Sequence, residues 1–172
     1  MSRKFVPTLF ALGCVMAGTT QAAELSGAIG VTGQGEMTYR AGLSRAWEQS
    51  WWQTESGHLG GHWDAGYTYW QSGDEAAGAH SLSLSPVLVY TFNADGAQPF
   101  MEFGIGAALF SGIEVGGRNM SSALHFEDRL GAGLQLRNGG RLGIRAIHYS
   151  NAGLKSPNEG IESYSLVVSW PL

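Results

Sequence analysis

Apolar side chains recur at every second position through eight stretches of the chain, roughly 25–33, 36–48, 61–70, 80–92, 99–110, 123–136, 141–150 and 161–171. A period of two is the signature of a strand, because successive side chains point to opposite faces. In the fourth stretch Leu82, Leu84, Pro86, Leu88, Tyr90 and Phe92 share one face, against Ser81, Ser83, Ser85 and Thr91 on the other. The eighth sets Tyr164, Leu166, Val168, Trp170 and Leu172 against Ser163, Ser165 and Ser169. Strands of this length, apolar outward and polar inward, fit a tilted membrane strand, and eight is the smallest common number for a closed barrel. The pattern therefore predicts an all-β fold, an eight-stranded antiparallel transmembrane β-barrel.

An even strand count returns both chain ends to one side. Asn93–Gln98 and Asn138–Gly140 then read as short periplasmic turns, and Gln71–Ala79, Ser111–Ser122 and Asn151–Gly160 as longer outer loops. Trp51–Gly61 is too long for such a turn and finds no place in the scheme. Trp47, Trp51, Trp52, Trp63 and Trp170 would supply an aromatic girdle. Inward parity assigns Glu102, Glu127, Arg129, Arg141 and Arg145 to a lumen that side chains fill, where opposite charges pair.

Residues 1–22 follow a different pattern. Arg3 and Lys4 precede a mostly apolar run from Phe5 to Gly18, and Thr20-Gln21-Ala22 places small residues at a cleavage site. This is expected to be a signal peptide removed after Ala22, leaving 23–172 as a single barrel domain. The sole cysteine, Cys14, goes with it, so no disulfide is expected. Losing Arg3 and Lys4 takes the basic residues from 10 to 8 against 14 acidic ones, and net charge from −4 to −6. That charge argues against a nucleic-acid partner. No apolar run after residue 22 is long enough for a spanning helix, so any membrane residence has to be as a barrel, and the expected location is a bacterial outer membrane.

Candidate chemistry lies in the last two strands. His148 and Ser150 share the face of Leu142, Ile144 and Ala146, and Glu162 shares the face of Tyr164 to Leu172. If the hairpin pairs Ser150 with Gly160, His148 stands directly opposite Glu162. Ionisable groups facing hydrocarbon are rare without a purpose. A serine hydroxyl needs a base to take its proton during attack, imidazole performs that task near neutral pH, and a carboxylate on the far ring nitrogen orients the ring. Ser150 is thus the expected nucleophile, His148 the base and Glu162 the orienting acid. Asn151 and the backbone amides along Asn151-Ala152-Gly153 are the nearest oxyanion donors, with Gly153 allowing close approach to a substrate. A three-residue turn Asn138-Gly139-Gly140 would place Asp128 opposite Ser150, as a supporting carboxylate or a headgroup contact, and a local bulge would equally turn it inward. His58, His62, His80 and His125 form no metal-ligand pattern, and no phosphate loop or dinucleotide motif is present.

The run Ala146-Ile-His148-Tyr-Ser150-Asn151-Ala-Gly-Leu-Lys, with Pro157-Asn158 and Gly160-Ile-Glu162-Ser-Tyr-Ser-Leu, resembles the lipid A 3-O-deacylase (PagL) family. So do Trp63-Asp-Ala-Gly-Tyr-Thr-Tyr-Trp70 and Phe126-Glu-Asp-Arg129. The resemblance implies an outer-membrane barrel that hydrolyses the ester at position 3 of lipid A in lipopolysaccharide, releasing a 3-hydroxy fatty acid. It also implies a triad at His148, Ser150 and Glu162, a functional asparagine at Asn151, no cofactor, and a homodimer. Two rival readings compete. A non-catalytic structural or adhesive outer-membrane barrel leaves the outward triad unexplained. A soluble barrel with an apolar ligand in its lumen would need the opposite polarity of faces.

Overall fold

The structure, a computed structural model, describes residues 23–73 and 77–172. The expected signal peptide lies outside them. The strands are β1 (Ala23–Thr32), β2 (Met37–Ala46), β3 (Trp51–Thr54), β4 (Gly57–Trp70), β5 (Ala79–Phe92), β6 (Gln98–Phe110), β7 (Glu114–Val115), β8 (Arg118–Asn119), β9 (Leu124–Gln135), β10 (Arg141–Ser150) and β11 (Ile161–Pro171). Eight of these pair antiparallel with their neighbours in the order β1, β2, β4, β5, β6, β9, β10, β11. Pairing of β1 with β11, from Glu24 opposite Pro171 to Thr32 opposite Ser163, closes the cylinder and leaves no free edge. One end carries both termini; the other carries the connections before β2, β5, β9 and β11.

Alternation sorts the side chains as the sequence predicts. Leu82, Leu84 and Leu88 of β5 are exposed on the outside, as are Leu130 of β9, Leu142 and Ile144 of β10, and Tyr164 and Leu166 of β11. Inside, Glu102, Glu127, Arg129 and Arg145 are buried and ion-paired, and Arg141 lies 3.7 Å from Glu24. Two members of this network were not anticipated. Arg40 and Arg129 both donate to Asp64 Oδ1, at 2.6 and 2.7 Å. Glu127 accepts from Arg129 at 2.8 Å, Ser85 at 2.7 Å and Tyr149 at 2.9 Å. A Cβ at position 66 would stand 2.1 Å from the Arg40 guanidinium, so a glycine there makes room for the ion pair. Toward the loop end the lumen turns apolar: Val115 of β7 and Met120, just after β8, pack with Trp70, Phe110, Ile147, Tyr149 and Ile161. The barrel is plugged, not a channel.

One connection left unplaced by the sequence finds its place, and one expectation is corrected. The segment 51–61 is not a turn: β3 pairs again with the start of β4, extending the β2–β4 hairpin beyond the barrel wall. Trp51, Trp52, Trp63 and Trp170 are exposed at that end, and Trp47 packs edge-on against Trp51 and Trp63. The β9–β10 turn is Arg137-Asn138-Gly139 rather than Asn138-Gly139-Gly140: Leu136 N donates to Gly140 O at 2.7 Å, and Gly139, not Gly140, takes positive φ (84°). A three-residue turn needs its left-handed residue in third position, and two adjacent glycines concealed which one that was.

Candidate active site

β10 and β11 place their even-numbered residues on the barrel exterior, so His148, Ser150 and Glu162 share the face of Ile144 and Leu166. The hairpin register sets His148 opposite Glu162 and Ile147 opposite Ser163. This juxtaposition forms a bond: His148 Nδ1 and Glu162 Oε1 are 2.8 Å apart. A carboxylate can only accept, so Nδ1 carries the hydrogen and Nε2 is left as the basic nitrogen of the ring. Both side chains stay accessible, 44 % and 33 % exposed, which an incoming ester requires.

The imidazole rests on Gly160. A Cβ built there would lie 2.8 Å from His148 Cε1 and 3.5 Å from Nε2. Beyond the Tyr149–Ile161 pair, Gly160 stands across from Ser150, so the basic edge of the ring leans toward the row of the hydroxyl. The Ser150 hydroxyl has no hydrogen-bond partner among the described residues. Residues two apart on one strand are separated by roughly 6.5 Å of rise, and a hydroxyl-to-imidazole bond between them depends on rotamer and on substrate.

Asp128 is exterior and stands opposite His148, with Phe126 opposite Ser150. The expected Asp128–Ser150 pairing is thus displaced by two residues, because the turn begins one residue earlier. His148 consequently has a carboxylate strand-neighbour on each side.

Asn151 does something its position beside Ser150 did not suggest. Its carboxamide is buried, with Nδ2 placed 3.1 Å from Met120 O, 3.2 Å from Ser121 Oγ and 3.1 Å from Lys155 O. Three acceptors for two N–H groups leave no side-chain donor for an oxyanion in this arrangement. Asn151 N donates to Asn158 Oδ1 at 3.0 Å, and Leu154 N to Asn151 O at 3.0 Å. Ala152 and Gly153, at φ 53° and 77°, form the exposed tip of the resulting turn. Toward the terminal end, Ala146, two residues from His148 on the same face, lines a depression. Val31, Leu130, Ile144, Tyr164 and Leu166 border it as an apolar groove on the outer wall. No group of His, Cys, Asp and Glu able to hold a metal occurs among the described residues.

Residues 33–171 match the family model for lipid A 3-O-deacylase (PagL). The chain belongs to this family. It is 59 % identical over 172 residues to the lipid A deacylase PagL of Pseudomonas aeruginosa, covering 99 % of each chain. It is 30 % identical over 122 residues to the lipid A deacylase PagL of Bordetella bronchiseptica, covering 67 % of this chain and 68 % of that one. A crystal structure of the outer membrane enzyme PagL superposes with TM-score 0.85 at 62 % identity, over 87 % of this chain and 99 % of that one. A designed transmembrane β-barrel shares the fold alone, with TM-score 0.53 at 11 % identity over 90 % of this chain and 98 % of that one. For a family of ester hydrolases, an imidazole held by a carboxylate next to a serine is the arrangement with the relevant chemistry.

Proposed function

We propose that this chain is an outer-membrane serine esterase that removes the 3-O-linked 3-hydroxyacyl chain from lipid A. The observation that carries it is the His148–Glu162 bond on the outer wall, two residues along the strand from Ser150, with an apolar groove that begins at Ala146 and Tyr164 on the same face. Ser150 Oγ attacks the ester carbonyl while His148 Nε2 takes its proton, and Glu162 stabilises the imidazolium. Collapse of the tetrahedral adduct breaks the bond to the sugar oxygen, which takes that proton from Nε2. Water, deprotonated by the same nitrogen, then releases the 3-hydroxy acid and restores the hydroxyl. The developing oxyanion is assigned to the backbone amides of Ala152 and Gly153, and Asn151 to holding their turn in place.

The loop end of the barrel faces the outer leaflet, where lipopolysaccharide resides, so a substrate would arrive laterally with its acyl chain along the groove. All three side chains come from one chain, so hydrolysis does not require a homodimer. The steps above call on side chains and water alone. The test is mass spectrometry of lipid A exposed to the purified protein in detergent. Loss of one 3-hydroxyacyl group is expected with the native chain, and unchanged lipid A with Ser150→Ala, whose barrel keeps its heat-resistant mobility on gels. Folded native protein that leaves lipid A intact rules the activity out.

A further inference from the structure

We infer that Lys155 recognises a phosphate on the sugar whose 3-ester is cut, an assignment that rests on the esterase reading above. Residues 23–172 hold eight arginines and lysines, and Lys155 is the only lysine among them. Arg40, Arg129, Arg141 and Arg145 are tied up in ion pairs of the lumen. Arg45, near the end of β2, and Arg137, in the β9–β10 turn, belong to the opposite end of the barrel. Arg118 serves Gln34, whose carboxamide, turned to present oxygen, accepts from Nε at 3.0 Å and Nη2 at 2.8 Å. Lys155 is exposed and has no ion-pair partner among the described residues.

Its placement is not that of a loose loop residue. Asn151 Nδ2 donates to Lys155 O at 3.1 Å, and Lys155 N donates to Asn151 Oδ1 at 3.4 Å. The lysine backbone is therefore gripped from both sides by the residue next to Ser150, leaving only its flexible stem to move. The surrounding charge explains why a cation is needed there. Asp128 and Glu162 flank the imidazole and repel an anionic headgroup. Glu159, the acid nearest Lys155 in sequence, is instead turned to the Asn119 amide of the β7–β8 hairpin. An ammonium group is a compact point charge with three donors, suited to a phosphate that approaches at varying angles.

The test compares Lys155→Gln and Lys155→Arg with the native chain on two purified lipids. One is bisphosphorylated lipid A; the other lacks the phosphate on the ester-bearing sugar. The native chain is expected to favour the first by about five- to tenfold in kcat/KM, through KM. Lys155→Gln should bring that ratio close to one and Lys155→Arg should restore most of it, with unboiled gel mobility confirming folded barrels. A ratio unaltered by Lys155→Gln, or equal losses on both lipids, overturns the assignment while leaving the esterase standing. Native protein that cleaves neither lipid overturns both together.

Discussion

An alanine at position 160 would push its β-carbon to 2.8 Å from His148 Cε1 and 3.3 Å from Tyr149 O, at a backbone φ of 63°. The left-handed conformation costs about 1–2 kcal/mol for a residue with a side chain, which a closed barrel tolerates. The imidazole is the softer of the two neighbours and would swing off its floor. Gly160→Ala should therefore lower kcat by at least tenfold while unboiled gel mobility stays native. A variant that keeps full activity would show that the ring does not need this support. Glu162→Gln tests the other side of the ring. A carboxamide can still accept from Nδ1, but it carries no charge to stabilise the imidazolium and can turn its NH2 toward Nδ1, favouring the wrong tautomer. A fall in kcat of roughly 10²–10⁴-fold, with KM little altered, is expected in detergent assays of lipid A hydrolysis.

Among the connecting elements, the outer hairpin between β10 and β11 is shaped by residues 30 to 40 positions away. Asn151 links it to Met120 and Ser121 just beyond the β7–β8 hairpin, and Glu159 reaches Asn119 of that same hairpin. Asn151→Ala removes one of two donors to Met120 O, which keeps the Ser122 amide at 2.7 Å, and leaves Lys155 O without its donor, at about 1–3 kcal/mol if that carbonyl stays buried. The expected result is a large drop in kcat together with faster proteolytic nicking within 151–160. A pure oxyanion donor would lose kcat with no change in nicking. The sequence shows clearly what depends on parity and obscures what depends on distant contact. His148 and Glu162 share a face because 148 and 162 sum to an even number, and the hairpin placed them as expected. Asp128 could be read as outward opposite Ser150 or turned inward by a bulge; it is outward and opposite His148, since Gly139 and Gly140 offered two equivalent left-handed positions. The bracing role of Asn151 has no local signature at all; beside a serine, an asparagine reads as an oxyanion donor.

For the barrel as a whole, the face of each strand was legible and the wiring of its interior was only partly so. Arg40, Asp64 and Tyr149 lie on inward parity as plainly as Glu127 and Arg129, yet their junction is visible only once β2, β4, β9 and β10 curl around one lumen. Glu127 is central to that junction, taking hydrogen bonds from Arg129, Ser85 and Tyr149, with Arg40 3.5 Å away. Tyr149 points inward between His148 and Ser150, so its bond to Glu127 ties the strand bearing the nucleophile to the ionic layer. Glu127→Leu would leave Arg129 and Arg40 sharing Asp64 alone, and would strand two buried hydroxyls. Removing one partner of a buried ionic network destabilises by about 3–5 kcal/mol. The variant should unfold from detergent or lipid vesicles at clearly lower urea, read as the shift of the unboiled gel band. Ser150→Ala, on the outer wall, should unfold at the native midpoint. A midpoint for Glu127→Leu equal to that of Ser150→Ala would mean that water entering the lumen replaces the carboxylate, and that closure of the sheet, not its charged filling, holds the barrel together.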